Sequence, residues 1–153
     1  FLDAGCKNVR TYVQSGNVLF DVADDTIDPA LKRRIRKHVT SLAGSQASIV
    51  FRSADDLEAM ARTTPFAGVE DDVDAKFYVA FLEKKPKAMP KAVLSSPKEA
   101  LDVIGLQNLD VFVVSRPKHG QYGFPNTLVE KRFGVSATTR QWSTVSKIVG
   151  LLS

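Results

Sequence analysis

The chain has 153 residues, 44% hydrophobic and 25% charged, with a formal net charge of +4, a composition that suits a folded protein with its own core. Its single cysteine, Cys6, excludes an internal disulfide framework, and Cys6, His38 and His119 do not have the spacing of a zinc cluster. No apolar run approaches the roughly 20 residues that span a bilayer, so a reducing, cytoplasmic setting without membrane attachment is expected, and no cofactor is implied.

The opening Phe1-Leu2-Asp3-Ala4-Gly5, without Met, reads as the last turn of a helix closed by glycine, and an upstream element is expected to be missing. Residues 8–14 alternate Val9, Thr11 and Val13 against Arg10, Tyr12 and Gln14, the period of a two-faced strand. Residues 18–21 are a second strand, and Ser15-Gly16-Asn17 between the two predicts a tight hairpin. Asp28-Pro29 opens a helix with Leu31, Ile35, Val39 and Leu42 on one face, and Gly44 ends it. A strand over 47–51 follows, then a short helix capped by Ser53, with Leu57 and Met60 inward.

Residues 67–74 are acidic and lack periodicity, which marks a linker between halves 1–66 and 75–153. Beyond it the pattern predicts an apolar strand at 76–83 and a short helix within 86–95. A hairpin of 99–104 with 109–115 follows, then a helix from Asn126 to Phe133, a strand at 135–139 and a last helix capped by Ser143. The resulting order reads as an α+β protein of two tandem ferredoxin-like βαββαβ halves with antiparallel sheets, the first strand of the first half absent. Charge divides unevenly under that scheme. Residues 1–66 carry nine Lys/Arg against eight Asp/Glu, residues 67–74 four acids and no base, and residues 75–153 twelve bases against five acids. A basic second half admits attraction to polyanions, as well as the plain reading of a basic surface.

Two polar motifs stand out. In the hairpin tip, Gln14, Ser15 and Asn17 either form a ligand-binding edge or satisfy the turn's own backbone. In Ala137-Thr138-Thr139-Arg140-Gln141-Trp142-Ser143-Thr144 a strand runs straight into a helix N-terminus, where unpaired N–H groups favour an anion. Thr139, Arg140, Ser143 and Thr144 would add donors there, and Lys147 charge. In the alternative Ser143 only caps, Trp142 packs on the sheet and Arg140 pairs internally. The basic face Lys32, Arg33, Arg34, Arg36 and Lys37, with Arg52 nearby, fits a solvated surface, and the loop 116–124 combines glycine, bases, aromatics and His119. No phosphate loop, dinucleotide fingerprint, nucleophile elbow or His-Glu-x-x-His motif is present, and neither 18–21 nor 109–115 carries the aromatic run of an RNA-recognition strand.

Taken together, the motifs at Thr11 to Asn17 and Ala137 to Lys147 resemble the bacterial family catalogued as domain of unknown function 1697, over nearly the whole chain. That family usually has Asn after the arginine, where this chain has Gln141, and begins with a strand and a Leu-Arg-Gly-Ile-Asn-Val-Gly segment that this chain lacks. The resemblance implies no established activity. Four readings follow: a binding module for a phosphorylated small molecule or other anion, an enzyme on an anionic substrate, a protein-interaction or oligomerisation domain, and a nucleic-acid binder, the last not favoured.

Overall fold

The structure, a computed structural model, describes residues 1–12, 16–24, 26–44, 48–88 and 95–152. The chain divides into two units, Phe1–Ile49 and Val50–Ser153, each built around an antiparallel sheet.

In the first unit a 3-10 turn, Leu2–Ala4, ends at Gly5, whose φ of 94° needs a residue without Cβ. Strand β1 (Lys7–Tyr12) pairs with β2 (Asn17–Asp21), with a bulge between Lys7 and Arg10. The bulge holds Asn8 at φ 50°, where its amide donates to Asp21 Oδ2 at 2.6 Å. It also breaks the expected alternation: Val9 and Tyr12 are half-buried while Thr11 is exposed. Helix α1 (Pro29–Ala43) starts and stops where its capping residues dictate. Asp28 Oδ1 accepts from Leu31 N at 2.7 Å, and the Gly44 N–H donates to Thr40 O at 2.9 Å. Its inward stripe is shorter than expected: Leu31 and Ile35 are buried, but Leu42 is 88% exposed.

The second unit holds α2 (Ala54–Arg62), β3 (Lys76–Leu82), β4 (Leu101–Gln107), β5 (Asp110–Ser115), α3 (Asn126–Phe133), β6 (Ala137–Gln141) and α4 (Trp142–Leu152). Its four strands lie in the order β4-β5-β3-β6, all antiparallel. Both faces are covered. Tyr78, Ala80 and Leu82 of β3, with Val111 and Val113 of β5, pack against Leu128, Val129 and Phe133 of α3. The intervening Val79, Phe81, Phe112 and Val114 pack against Met60 of α2 and Val145 of α4. This explains why β3 and β5 read as continuous apolar runs: a strand buried on two sides has no polar face to alternate with. Phe66 sits among Phe77, Phe112 and Trp142, with ring centres 5.2, 5.9 and 5.4 Å away. Burying a ring of that size contributes about 1.5–3 kcal/mol.

One expectation is corrected. Residues 48–51 form no strand, and the carbonyls of Ile49 and Phe51 accept from the side chains of Arg36 and Arg52. Arg52 Nε donates to Asp110 Oδ1 at 2.9 Å, NH2 to the carbonyls of Leu82 (2.9 Å) and Leu109 (3.0 Å), and NH1 to Phe51 O (2.8 Å), while the guanidinium lies over the Phe81 ring. The acidic stretch 67–74 is a run of hydrogen-bonded turns, Val69 N to Phe66 O at 3.1 Å among them, and Asp72 pairs with Arg116. The two units part at 49/50, and the break expected from the sequence lies within the second unit. The first unit shows two strands and one α-helix, so the tandem repetition of a βαββαβ half is not visible among the described residues. The short helix expected within 86–95 falls largely on residues 89–94, outside the described residues, and 86–88 are not helical.

Candidate functional site

Strand β6 is an edge strand, and its polar residues separate by strand period. Tyr78 faces Gln141, Val79 faces Arg140 and Ala80 faces Thr139 across the β3 ladder. Ala137 belongs to the α3-facing core, and by period 2 Thr139 and Gln141 share its face. Thr138 and Arg140 therefore point to the face that carries α2 and α4.

Thr139 is buried and its hydroxyl donates to Asn126 Oδ1 at 2.7 Å. Asn126 Nδ2 donates in turn to Glu130 Oε1 at 3.1 Å, and Glu130 Oε2 accepts the Ala137 N–H at 3.1 Å. These bonds tie α3 to the sheet edge and satisfy a strand N–H that has no neighbouring strand. Thr139 thus belongs to the framework and does not converge with Arg140. Asn126 is likewise no N-cap: it is the first helical residue, and Pro125 precedes it as the cap.

Arg140 is half-buried, donates from NH1 to Thr139 O at 2.9 Å, and is held below its usual pKa by loss of solvent. Helix α4 begins directly after β6, at Trp142, so Ser143 lies inside its first turn rather than at the cap. Trp142 packs on Phe66. Ser143 and Lys147 are exposed and one turn apart on the same side, and Thr144 is partly buried. The junction therefore brings together a partly desolvated guanidinium and the first-turn hydroxyls of α4 within one short stretch of chain.

Other predicted residues have structural partners. Asn17 Nδ2 donates to Tyr12 O at 3.0 Å and closes the hairpin, while Gln14 and Ser15 lie outside the described residues. On α1, Arg34 and Arg36 donate to the carbonyls of Ala4 (3.4 Å) and Ile49 (3.3 Å). The loop 116–124 is fastened along its length. Arg116 binds Asp72 and Asp102 at 3.0 and 2.8 Å, and Tyr122 Oη donates to Asp74 O at 2.6 Å. Ser115 Oγ donates to Gly123 O at 2.8 Å. His119 and Gly120, at φ 52° and 75°, are the centre of a tight turn closed by reciprocal Lys118–Gln121 bonds of 2.8 and 3.1 Å. The histidine is therefore an exposed turn residue. Among the described residues no group of three His, Cys, Asp or Glu is placed to hold a metal ion, and no helix is long and apolar enough to cross a membrane.

The family described as Protein of unknown function (DUF1697) matches residues 1–112. The chain belongs to that family. No curated protein and no solved structure matches it. The match takes in the hairpin motif and ends within β5, so the motif at 137–147 lies beyond it, short of the near full-length resemblance expected.

Two groupings escaped the sequence reading of this family member. Asp110 is a lone acid at the head of an otherwise apolar strand, which signals a buried partner, but only the fold brings Arg52 from 58 residues away. Tyr78, Tyr122 and Phe124 come together from a strand and a loop with no shared motif.

Proposed function

We propose that the second unit binds a small anion, a phosphate or carboxylate group, at the junction of β6 and α4. The observation that carries this reading is Arg140, a guanidinium partly withdrawn from water on the sheet face where α4 begins. A charge-assisted bond to an anion gains strength where solvent screens less, and the first N–H groups of a helix add to the attraction. Ser143, Thr144 and Lys147 complete the site; Thr139 lies on the opposite face of β6 and Asn17 belongs to the first unit.

The strand order β4-β5-β3-β6 supports a ferredoxin-like reading of the second unit, with α2 and α4 as an added layer. That layer disfavours an interaction role for an open sheet face there. An enzyme reading has less support, since His119 sits at an exposed turn.

The test is a melting series of the protein with inorganic phosphate, sugar phosphates, nucleotides and dicarboxylates. A ligand at a hundred times its Kd stabilises by about 2.7 kcal/mol, readable as a rise of several degrees. Arg140→Ala, folded by circular dichroism, should abolish the rise. If no anion moves the melting temperature, the assignment fails.

A further inference from the structure

The fastened loop holds two aromatic rings at the surface. Tyr122 is 38% exposed and Phe124 59%. Phe124 stands edge-on to the buried Tyr78, ring centres 5.6 Å apart, and Lys76 Nζ lies 4.2 Å from the centre of the Tyr122 ring. The Tyr78 hydroxyl shares a hydrogen bond with the side chain of Gln141, the residue opposite it in the ladder. Gly123 between the two rings is closely packed: a Cβ would stand 3.0 Å from Glu99 O and 3.3 Å from Leu101. Phe124 is thus held edge-on against Tyr78, Tyr122 is held by its hydroxyl on Asp74 O and by Lys76 over its ring, and both rings keep exposed surface.

An exposed ring already fixed in place loses little further freedom when a second planar ring stacks on it, so most of the stacking energy is retained as affinity. The neighbouring groups narrow the choice of ring. Lys76 brings a positive charge, and Asp74 meets the loop through its backbone carbonyl. Gln141 is exposed, and an amide with two donors and an acceptor keeps hydrogen-bonding capacity beyond its bond to Tyr78. A flat π-face, a ring edge of donors and acceptors and a negative substituent match these three features, whereas a neutral sugar matches only the amide.

We propose that Phe124 and Tyr122 form a stacking platform for the base of a nucleoside or nucleotide, with Gln141 at the edge of the base and Lys76 at its negative substituent. The platform stands independently of the anion site, since Gln141 and Arg140 project from opposite faces of β6.

The test is an amide-shift NMR titration of the protein with adenosine, AMP, ribose 5-phosphate, methyl glucoside and a single-stranded hexanucleotide. Adenosine and AMP should shift the amides of residues 76–78, 122–124 and 141, AMP more tightly. The glucoside should leave them unmoved, and ribose 5-phosphate should leave 122–124 unmoved. Phe124→Leu, which keeps the apolar cover on Tyr78, should weaken adenosine at least about fivefold, the lower end of a base-stacking contribution. Tyr122→Leu, checked for folding by its amide spectrum, should weaken it similarly. Absence of adenosine shifts at the platform, equal shifts with the glucoside, or unchanged affinity in folded Phe124→Leu would each overturn the proposal. A hexanucleotide binding more than about a hundredfold tighter than AMP would overturn its small-molecule form. Ribose 5-phosphate raising the melting temperature in an Arg140-dependent way reports only on the anion site, so the two readings fail separately.

Discussion

Arg52 and Asp110 are a buried ion pair, with side chains only 13% and 6% exposed. Burial pushes the Asp110 carboxyl above its usual 3.8, and the charge and hydrogen bond of Arg52 pull against that rise. A carboxyl raised in the fold takes up its proton more readily there than in the unfolded chain. Its contribution to stability is therefore fullest below 3.8 and is lost as pH rises through the folded value. Arg52 limits that loss, so removing it leaves an uncompensated carboxylate. Arg52→Met should cost about 3–5 kcal/mol at pH 7. The cost should shrink toward pH 4, where Asp110 can be neutral. Urea titrations followed by Trp142, the chain's one tryptophan, measure both. An equal cost at the two pH values would show that Arg52 matters only for its carbonyl bonds.

At the scale of elements, Gly123 and Gly150 make opposite cases. Gly123 is crowded by Glu99 O, a backbone atom that cannot swing aside, whereas a Cβ on Gly150 in α4 meets nothing within 4 Å. Gly123→Ala should destabilise by about 1–3 kcal/mol and Gly150→Ala should stabilise by about 0.5–1 kcal/mol, both read from denaturant midpoints at constant m. Elements governed by local chemistry were legible in the sequence. Asp28-Pro29 and Gly44 bound α1, Ser53 caps α2 through a 3.1 Å bond to Asp56 N, and Gly134 closes α3. What tertiary bonds decide was not legible. Residues 48–51 have a strand's composition, but the carbonyls of Ile49 and Phe51 go to the side chains of Arg36 and Arg52, and Asn126 has a cap's identity but serves Thr139 and Glu130. The candidate site was half legible for the same reason. Proximity in sequence grouped Thr139 with Arg140, and the strand period sends them to opposite faces.

At the scale of the molecule, the position of the unit boundary changes the electrostatics. Divided at 49/50, the first unit carries seven bases against five acids and the second fourteen against twelve, so each is +2. The excess of positive charge that the sequence placed in residues 75–153 is offset by the acids of α2 and of the turns at 67–74, which pack with that sheet. Several bases are also committed: Arg52 to Asp110, Arg116 to Asp72 and Asp102, Lys118 to the carbonyls of Pro97 and Lys98. Duplex DNA presents one phosphate per roughly 1.7 Å of axis and rewards a track of uncommitted cations, each neutralised phosphate adding about −0.9 to the slope of log affinity against log salt. The protein should therefore show a shallow slope, shallower than about −3, and lose retention on duplex DNA by about 0.2 M salt. Fluorescence anisotropy with a labelled duplex across a salt series measures this. A slope near −6 or steeper, with the affinity falling about four-thousandfold or more between 50 and 200 mM, would mean that the committed arginines let go of their carboxylates to meet phosphate. It would then be the ion pairs at Arg116, more exposed than the Arg52 pair, that open first.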